Sequence, residues 1–255
     1  MNSFATAAEM AAAIRRKTIS ATELVTHTFE RIERINPDLN AIVGTMRESA
    51  MARAAEADQA LASGHDLGPL HGVPITIKES FAYRGTPNTW GLPNLAQAMS
   101  PRTAVAIERL ESAGAIVVGK TNVPVMLADW QTYNPLYGTT NNPWDLSRTP
   151  GGSSGGGAAA VAAGMGAVSM GSDLSGSIRI PAHFCGIYGH KPSLNLVSMD
   201  GFQPGPWEGP PGPPMDIAAV GPMTREAGDL ALTPSAIGGP SGDGARGHAV
   251  ARAGC

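Results

Sequence analysis

Between Pro150 and Ser177 the chain reads PGGSSGGGAAAVAAGMGAVSMGSDLSGS, two serine-bearing, glycine-flanked turns separated by an alanine- and glycine-rich stretch and a short apolar run. Glycine costs backbone entropy and is kept where the chain takes positive φ or approaches a ligand closely. Hydroxyls held among bare backbone N–H groups suit acyl transfer, in which one oxygen attacks a carbonyl and amides hold the developing oxyanion. The candidate hydroxyls are those of Ser153, Ser154 and Ser177. A carboxamide is a poor electrophile, so its cleavage also needs a base for the nucleophile and a proton donor for the leaving nitrogen.

Histidine is the usual base, and the chain has six. His27 lies on a helical pattern, His65 and His71 in a Gly/Pro-rich connection, His183 and His190 beside an apolar run, and His248 near the end. None is paired with a carboxylate in a known motif, so each reads as a solvated or hydrogen-bonded structural histidine. Lys78 is the other candidate. It ends the run Val73-Pro74-Ile75-Thr76-Ile77, which reads as a buried strand. A lysine there either lifts its amine to solvent along its own stem or is desolvated. At an ordinary pKa of about 10.4, roughly one amine in a thousand is neutral at pH 7. A downward shift of about three units, ~4 kcal/mol of differential solvation, makes a usable base.

With these residues in place, the chain resembles the amidase signature enzymes. The match is to a Gly-Gly-Ser-Ser-Gly-Gly turn followed at fixed spacing by Gly-Ser-Asp-x-x-Gly-Ser-Ile-Arg, here Gly151 to Gly156 and Gly171 to Arg179. HGVPITIKES (71–80), GKTNVP (119–124), NPW (142–144), PAHFCGIYGHKPS (181–193) and GPMTR (221–225) agree with it. The resemblance implies that Ser177 is the nucleophile. Ser153 is then the relay serine, on a cis peptide, and Lys78 the ultimate base; the interval from Ser153 to Ser177 fits. It implies an oxyanion hole of backbone amides from Leu174, Ser175, Gly176 and Ser177. Ser154, Asp173 and Arg179 are expected to hold the two turns in register. Met126, Trp130, Gly151 and Gly152 are candidates for the substrate pocket. The substrate expected is a small-molecule amide, or an ester, and no metal or organic cofactor is implied. Two other readings stay open: a catalytically inactive binding fragment, and a glutaminase component of an amidotransferase.

Two motifs compete with this reading. Gly114 to Thr121 satisfies the Walker A pattern, but its middle residues Ala115, Ile116, Val117 and Val118 read as a strand preceded by a helix, the reverse of a P-loop. Gly151 to Gly155 fits the nucleophile elbow G-x-S-x-G, but the stretch before it is a polar loop with two prolines rather than a strand.

The elements that must position these residues follow from patterning. Capping boxes at Thr6–Glu9 and Ser20–Glu23 open two helices, the second ending at Asn36-Pro37, and a third runs from about Arg47 to Ser63. Strands at 73–78, 115–119 and 167–171 then alternate with helices at 100–113, capped by Ser100, and 156–164. The expected fold is α/β: an amidase-signature-type mixed β-sheet covered by helices on both faces, with a helical N-terminal region. One domain is expected over 1–240, with N-terminal helices to about 63 and the catalytic core over about 64–232; residues 233–255 read as a weakly ordered tail. Residues 201–214, dense in proline and glycine, read as a long loop or lid near the site.

At 255 residues the chain can bury one sizeable core, and a net charge of −3 gives no basic footprint for nucleic acid. Two cysteines form no disulfide framework, no run is long enough for a membrane span, and no signal peptide opens the chain, so a cytoplasmic location is expected. Family members are longer. A truncation after the catalytic parts would expose a sheet edge, and such edges pair, which leads to the expectation of a homodimer. Ser175 stands where the family has glycine, and Glu79 where aspartate is commoner.

Overall fold

The computed structural model describes residues 2–206, 208 and 215–239. Helix α1 (Ala7–Arg15) and helix α2 (Ala21–Leu39) both carry complete capping boxes, from Thr6 with Glu9 and from Ser20 with Glu23. Helix α2 does not stop at Asn36-Pro37. Pro37 lies in its last turn, one i→i−4 bond is forgone there, and Asn40 ends the helix in the left-handed conformation. The Asn36 side chain accepts from the amides of Ala41 and Ile42, and so turns the chain into strand β1 (Ile42–Thr45).

Helix α3 (Arg47–Ala62) buries Ala50, Ala54 and Ala57 on one face. Strand β2 (Pro74–Lys78) follows, then helix α4 (Val105–Ser112) and strand β3 (Ile116–Thr121). Helix α4 begins after the expected start at Ser100. The Ser100 amide instead donates to the Thr86 carbonyl at 2.8 Å and its carbonyl accepts from Gly85, which holds that residue in a bridged turn. Helix α4 before β3 is the order expected from the sequence and not that of a P-loop.

A short hairpin of β4 (Tyr133–Asn134) and β5 (Gly138–Thr139) precedes helix α5 (Gly155–Ala162) and strand β6 (Val168–Asp173). Helix α6 (Arg179–Cys185), strands β7 (Tyr188–Gly189) and β8 (Ala219–Thr224) and helix α7 (Ala227–Ile237) complete the described chain. Helix α7 runs past 232, so that boundary of the core falls inside an element. The expected tail from 240 onward, and residues 207 and 209–214 of the expected loop, lie outside the described residues.

The main sheet is mixed, in the order β1-β3-β2-β6-β8-β7. Strand β2 pairs in parallel with β3 and β6, while β1, β8 and β7 join antiparallel. Because β2, β3 and β6 run together, Lys78, Thr121 and Asp173 reach the same edge of the sheet, the carboxyl ends of strands where α/β folds place their sites.

The β2–β6 register pairs Thr76 with Ser169 and puts Ile75, Ile77, Val168 and Met170 on the opposite face, all four fully buried. Helix α5 lies over the Thr76 and Ser169 face at a distance that only glycine allows. A Cβ at Gly156 would stand 2.4 Å from the Asn122 nitrogen, and one at Gly157 would stand 2.5 Å from Ser169 Oγ. Two glycines of the serine block are thus spent on packing helix against sheet rather than on approach to a ligand. On the far side of the chain, the buried Asp229 carboxylate accepts from Ala7 and Ala8 at the start of α1, tying the N-terminal helices to α7.

Candidate active site

Lys78 ends β2 with no exposed surface. Its Nζ donates to Ser153 Oγ at 2.7 Å and to Ser172 Oγ at 3.0 Å. Burial pushes the Lys78 ammonium well below its ordinary pKa, with the charge of Asp173 acting the other way. Ser153 lies two residues before α5, next to its N-cap Ser154, and the Gly152–Ser153 peptide is cis.

The second turn, which leads from β6 to α6, is organised by Asp173. Its carboxylate accepts from the amides of Gly176 (2.8 Å), Ile178 (3.1 Å) and Arg179 (3.3 Å) and from two nitrogens of the Arg179 guanidinium, each at 3.0 Å. Burial alone would raise the Asp173 carboxyl; Arg179 and these amides override it and bring it down to about 2. Asp173 and Arg179 therefore brace the second turn itself. The register between the two turns is held by Ser154, whose amide donates to the Ser177 carbonyl at 3.1 Å and whose Oγ lies 3.3 Å from both the amide and the carbonyl of Ser172.

Of the four amides expected to face an oxyanion, that of Gly176 is taken by Asp173. Among the described residues, those of Leu174, Ser175 and Ser177 meet no protein acceptor. The positive φ of this loop falls on Gly176, at +109°, and not on Ser175, so serine is accommodated there without backbone strain.

Ser153, Ser172, Leu174, Ser175 and Ser177 line one cavity of about 550 Å³, together with Met126, Trp130 and Asp129. Trp90, Leu127, Met199, Phe202, Met215 and Ala218 add to an apolar wall, and no described lining residue is basic. Met126 and Trp130 thus reach the cavity, whereas Gly151 and Gly152 do not. A Cβ on Gly151 would strike Pro181, and one on Gly152 would lie 2.6 Å from the Asp129 carbonyl, so both glycines let backbones pack behind the site. Among the described residues no histidine lines it, and the buried His71 accepts the Leu67 amide on Nδ1. Lys120, the lysine of the Walker-like match, is buried and donates to the Pro87 carbonyl.

Ser172 is the functional candidate that sequence reasoning passed over. Its signal was positional: the parallel pairing of Ile77 with Met170 carries Lys78 to the level of Gly171 at the sheet edge, one residue short of Ser172.

The Amidase family model matches residues 23–244. The chain belongs to the amidase signature family. It is 40% identical over 244 residues to fatty-acid amide hydrolase 2-A of Danio rerio, an alignment spanning 93% of this chain and 45% of that protein. An acylamidase of Rhodococcus erythropolis is likewise 40% identical, over 92% of this chain and 47% of its own length. A glutamyl-tRNA(Gln) amidotransferase subunit from Carboxydothermus hydrogenoformans is 41% identical, with 92% and 47% covered. Among solved structures, a bacterial aryl acylamidase of the amidase signature family superposes with a TM-score of 0.83 at 33% identity, over 93% of this chain and 48% of that one. The chain spans about half the length of the curated relatives it matches. Among the described residues, no helix is long and apolar enough to cross a membrane.

Proposed function

We propose that this chain cleaves carboxylic amides through an acyl-enzyme on Ser177, with Ser153 as proton relay and Lys78 as base. The observation that carries the reading is a fully buried amine 2.7 Å from the Oγ of Ser153, a residue that lines the same cavity as Ser177. Burial favours the neutral form of the amine. The Lys78–Ser153 contact then runs in the opposite sense, with the Ser153 hydroxyl donating to the nitrogen lone pair. Ser153 draws the proton of Ser177 as it gives up its own, and the Ser177 oxygen bonds to the substrate carbonyl carbon.

The carbonyl oxygen takes the displaced electron pair and is held by the amides of Leu174, Ser175 and Ser177, while Gly176 stays bound to Asp173. Collapse breaks the C–N bond, and the proton returns from Lys78 through Ser153 to the leaving nitrogen. Water then cleaves the acyl ester by the same relay. Esters follow the same route, since their leaving groups need less protonation.

The cavity favours uncharged amides with apolar or aromatic groups, because a substrate carboxylate would meet no basic side chain on the described wall. Glutamine is the substrate of the amidotransferase reading, which the similarity to the Carboxydothermus protein keeps in view. Hydrolysis of a neutral aryl amide and of glutamine, each by the wild type and by Ser177→Ala, tests the proposal. Loss of aryl-amide turnover in the variant is expected. Equal rates in both proteins leave the inactive-fragment reading, and turnover of glutamine alone leaves the glutaminase reading.

A further inference from the structure

Glu79 follows Lys78 directly and is 1% exposed. A buried carboxylate needs donors, and among the described residues they come from one turn. Its oxygens accept from the Thr89 amide at 2.7 Å, the Thr89 hydroxyl at 2.9 Å and the Trp90 amide at 2.9 Å. Lys120 on the neighbouring strand β3 is also buried and supplies an opposing charge.

The turn so gripped is an unfavourable one. Trp90 has φ of +49°, and Met126 and Leu127 have φ of +52° and +59°. For bulky residues the left-handed region is strained, so the surroundings must hold them there. The Trp90 ring nitrogen donates to the Ser80 carbonyl at 3.0 Å, and the Trp90 carbonyl accepts from the Met126 amide at 2.8 Å, which joins the two left-handed segments. Phe202 packs on the Trp90 ring with centroids 5.0 Å apart. Trp90, Met126, Leu127 and Phe202 all line the cavity.

We infer that Glu79 is a positioning residue: by clamping the Thr89–Trp90 turn it fixes the apolar wall that receives the substrate's hydrophobic group, and ties that wall to the strand carrying Lys78. The use of this wall for substrate rests on the amide-hydrolase reading. Glutamine at this position offers one acceptor and one NH2, which would face a backbone N–H donor against donor. Aspartate keeps both acceptor oxygens.

The test is binding of 4-phenylbutyramide, measured by titration calorimetry in a Ser177→Ala background where the amide is not cleaved. Adding Glu79→Gln is expected to raise Kd about tenfold, and Thr89→Val, which removes one arm of the clamp, about threefold. Glu79→Asp is expected to stay within about twofold of the parent, a rescue that a purely structural role does not produce. Circular dichroism checks folding, and if Glu79→Gln loses the native spectrum the decision passes to Thr89→Val. No binding to the parent, or an unchanged Kd in the folded variants, overturns the inference. Failure of the amide-hydrolase reading would show elsewhere, as an unreactive Ser177.

Discussion

Lys78 ends strand β2 and Ser172 is the penultimate residue of its parallel neighbour β6, and Nζ of the first meets Oγ of the second at 3.0 Å. The contact gives the amine a second fixed partner besides Ser153 and leaves it one direction in which to exchange a proton. Substituting Ser172→Ala removes that partner while sparing the relay. We predict a fall in kcat of about tenfold with KM little changed, far less than the loss in Ser177→Ala. Steady-state kinetics on one aryl amide checks it, and wild-type kcat in the variant counts against a role for Ser172.

Burying Lys78 costs stability in a pH-dependent way. Its pKa is lower folded than unfolded, so between the two values the unfolded chain binds more protons and stability rises with pH. The penalty is full below the folded pKa and fades as pH approaches the unfolded value of about 10.4. Lys78→Met is therefore expected to abolish turnover yet raise Tm, and to raise it more at pH 6 than at pH 9. Thermal melts at the two pH values decide, and a lower Tm in the variant contradicts the burial argument.

Asp173 has the opposite sign. Its folded pKa of about 2 lies below the ordinary 3.8, so its contribution is complete above pH 4 and is lost as pH falls through about 2. That contribution is about 2 kcal/mol by linkage. Asp173→Asn keeps an acceptor but loses the Arg179 pair. It should lower stability by roughly this amount at pH 7, remove turnover by loosening the loop at Gly176, and flatten the acid limb of the stability curve. Urea unfolding from pH 2 to pH 7 reads all but the turnover, which the aryl-amide assay gives.

Replacing Gly156 by alanine ought to help an isolated helix by about 1 kcal/mol. In this fold the new methyl would stand 2.4 Å from the Asn122 nitrogen and 2.8 Å from the Ala41 carbonyl oxygen, both backbone atoms that cannot swing aside. Gly156→Ala is predicted to destabilise the protein by about 1–3 kcal/mol. A variant as stable as wild type in denaturant would mean that α5 does not sit this close to β3.

The alternation of strands and helices was readable because burial leaves a pattern. Ile75, Ile77, Val117 and Val118 face a core, and the capping boxes at Thr6 and Ser20 are local chemistry. The start of α4 was not readable, because Ser100 looks like an N-cap locally and only its pairing with Thr86 removes it from the helix. In the site, the Lys78–Ser153 contact followed from motif resemblance, while the partner Ser172 and the sequestered Gly176 amide depend on how two strands and a loop meet. The glycines of the serine block carry two meanings that sequence does not separate. Gly176 takes a left-handed turn, whereas Gly156 and Gly157 make room for a neighbouring backbone and side chain.

The most direct test is mass spectrometry after reaction with a fluorophosphonate, applied to the wild type and to Lys78→Ala. Modification confined to Ser177 in the wild type, and reduced at least a hundredfold (~3 kcal/mol) in Lys78→Ala, is the predicted result. Modification of another serine, or of Ser177 at the same rate without the lysine, would contradict the relay from Ser177 through Ser153 to a neutral Lys78.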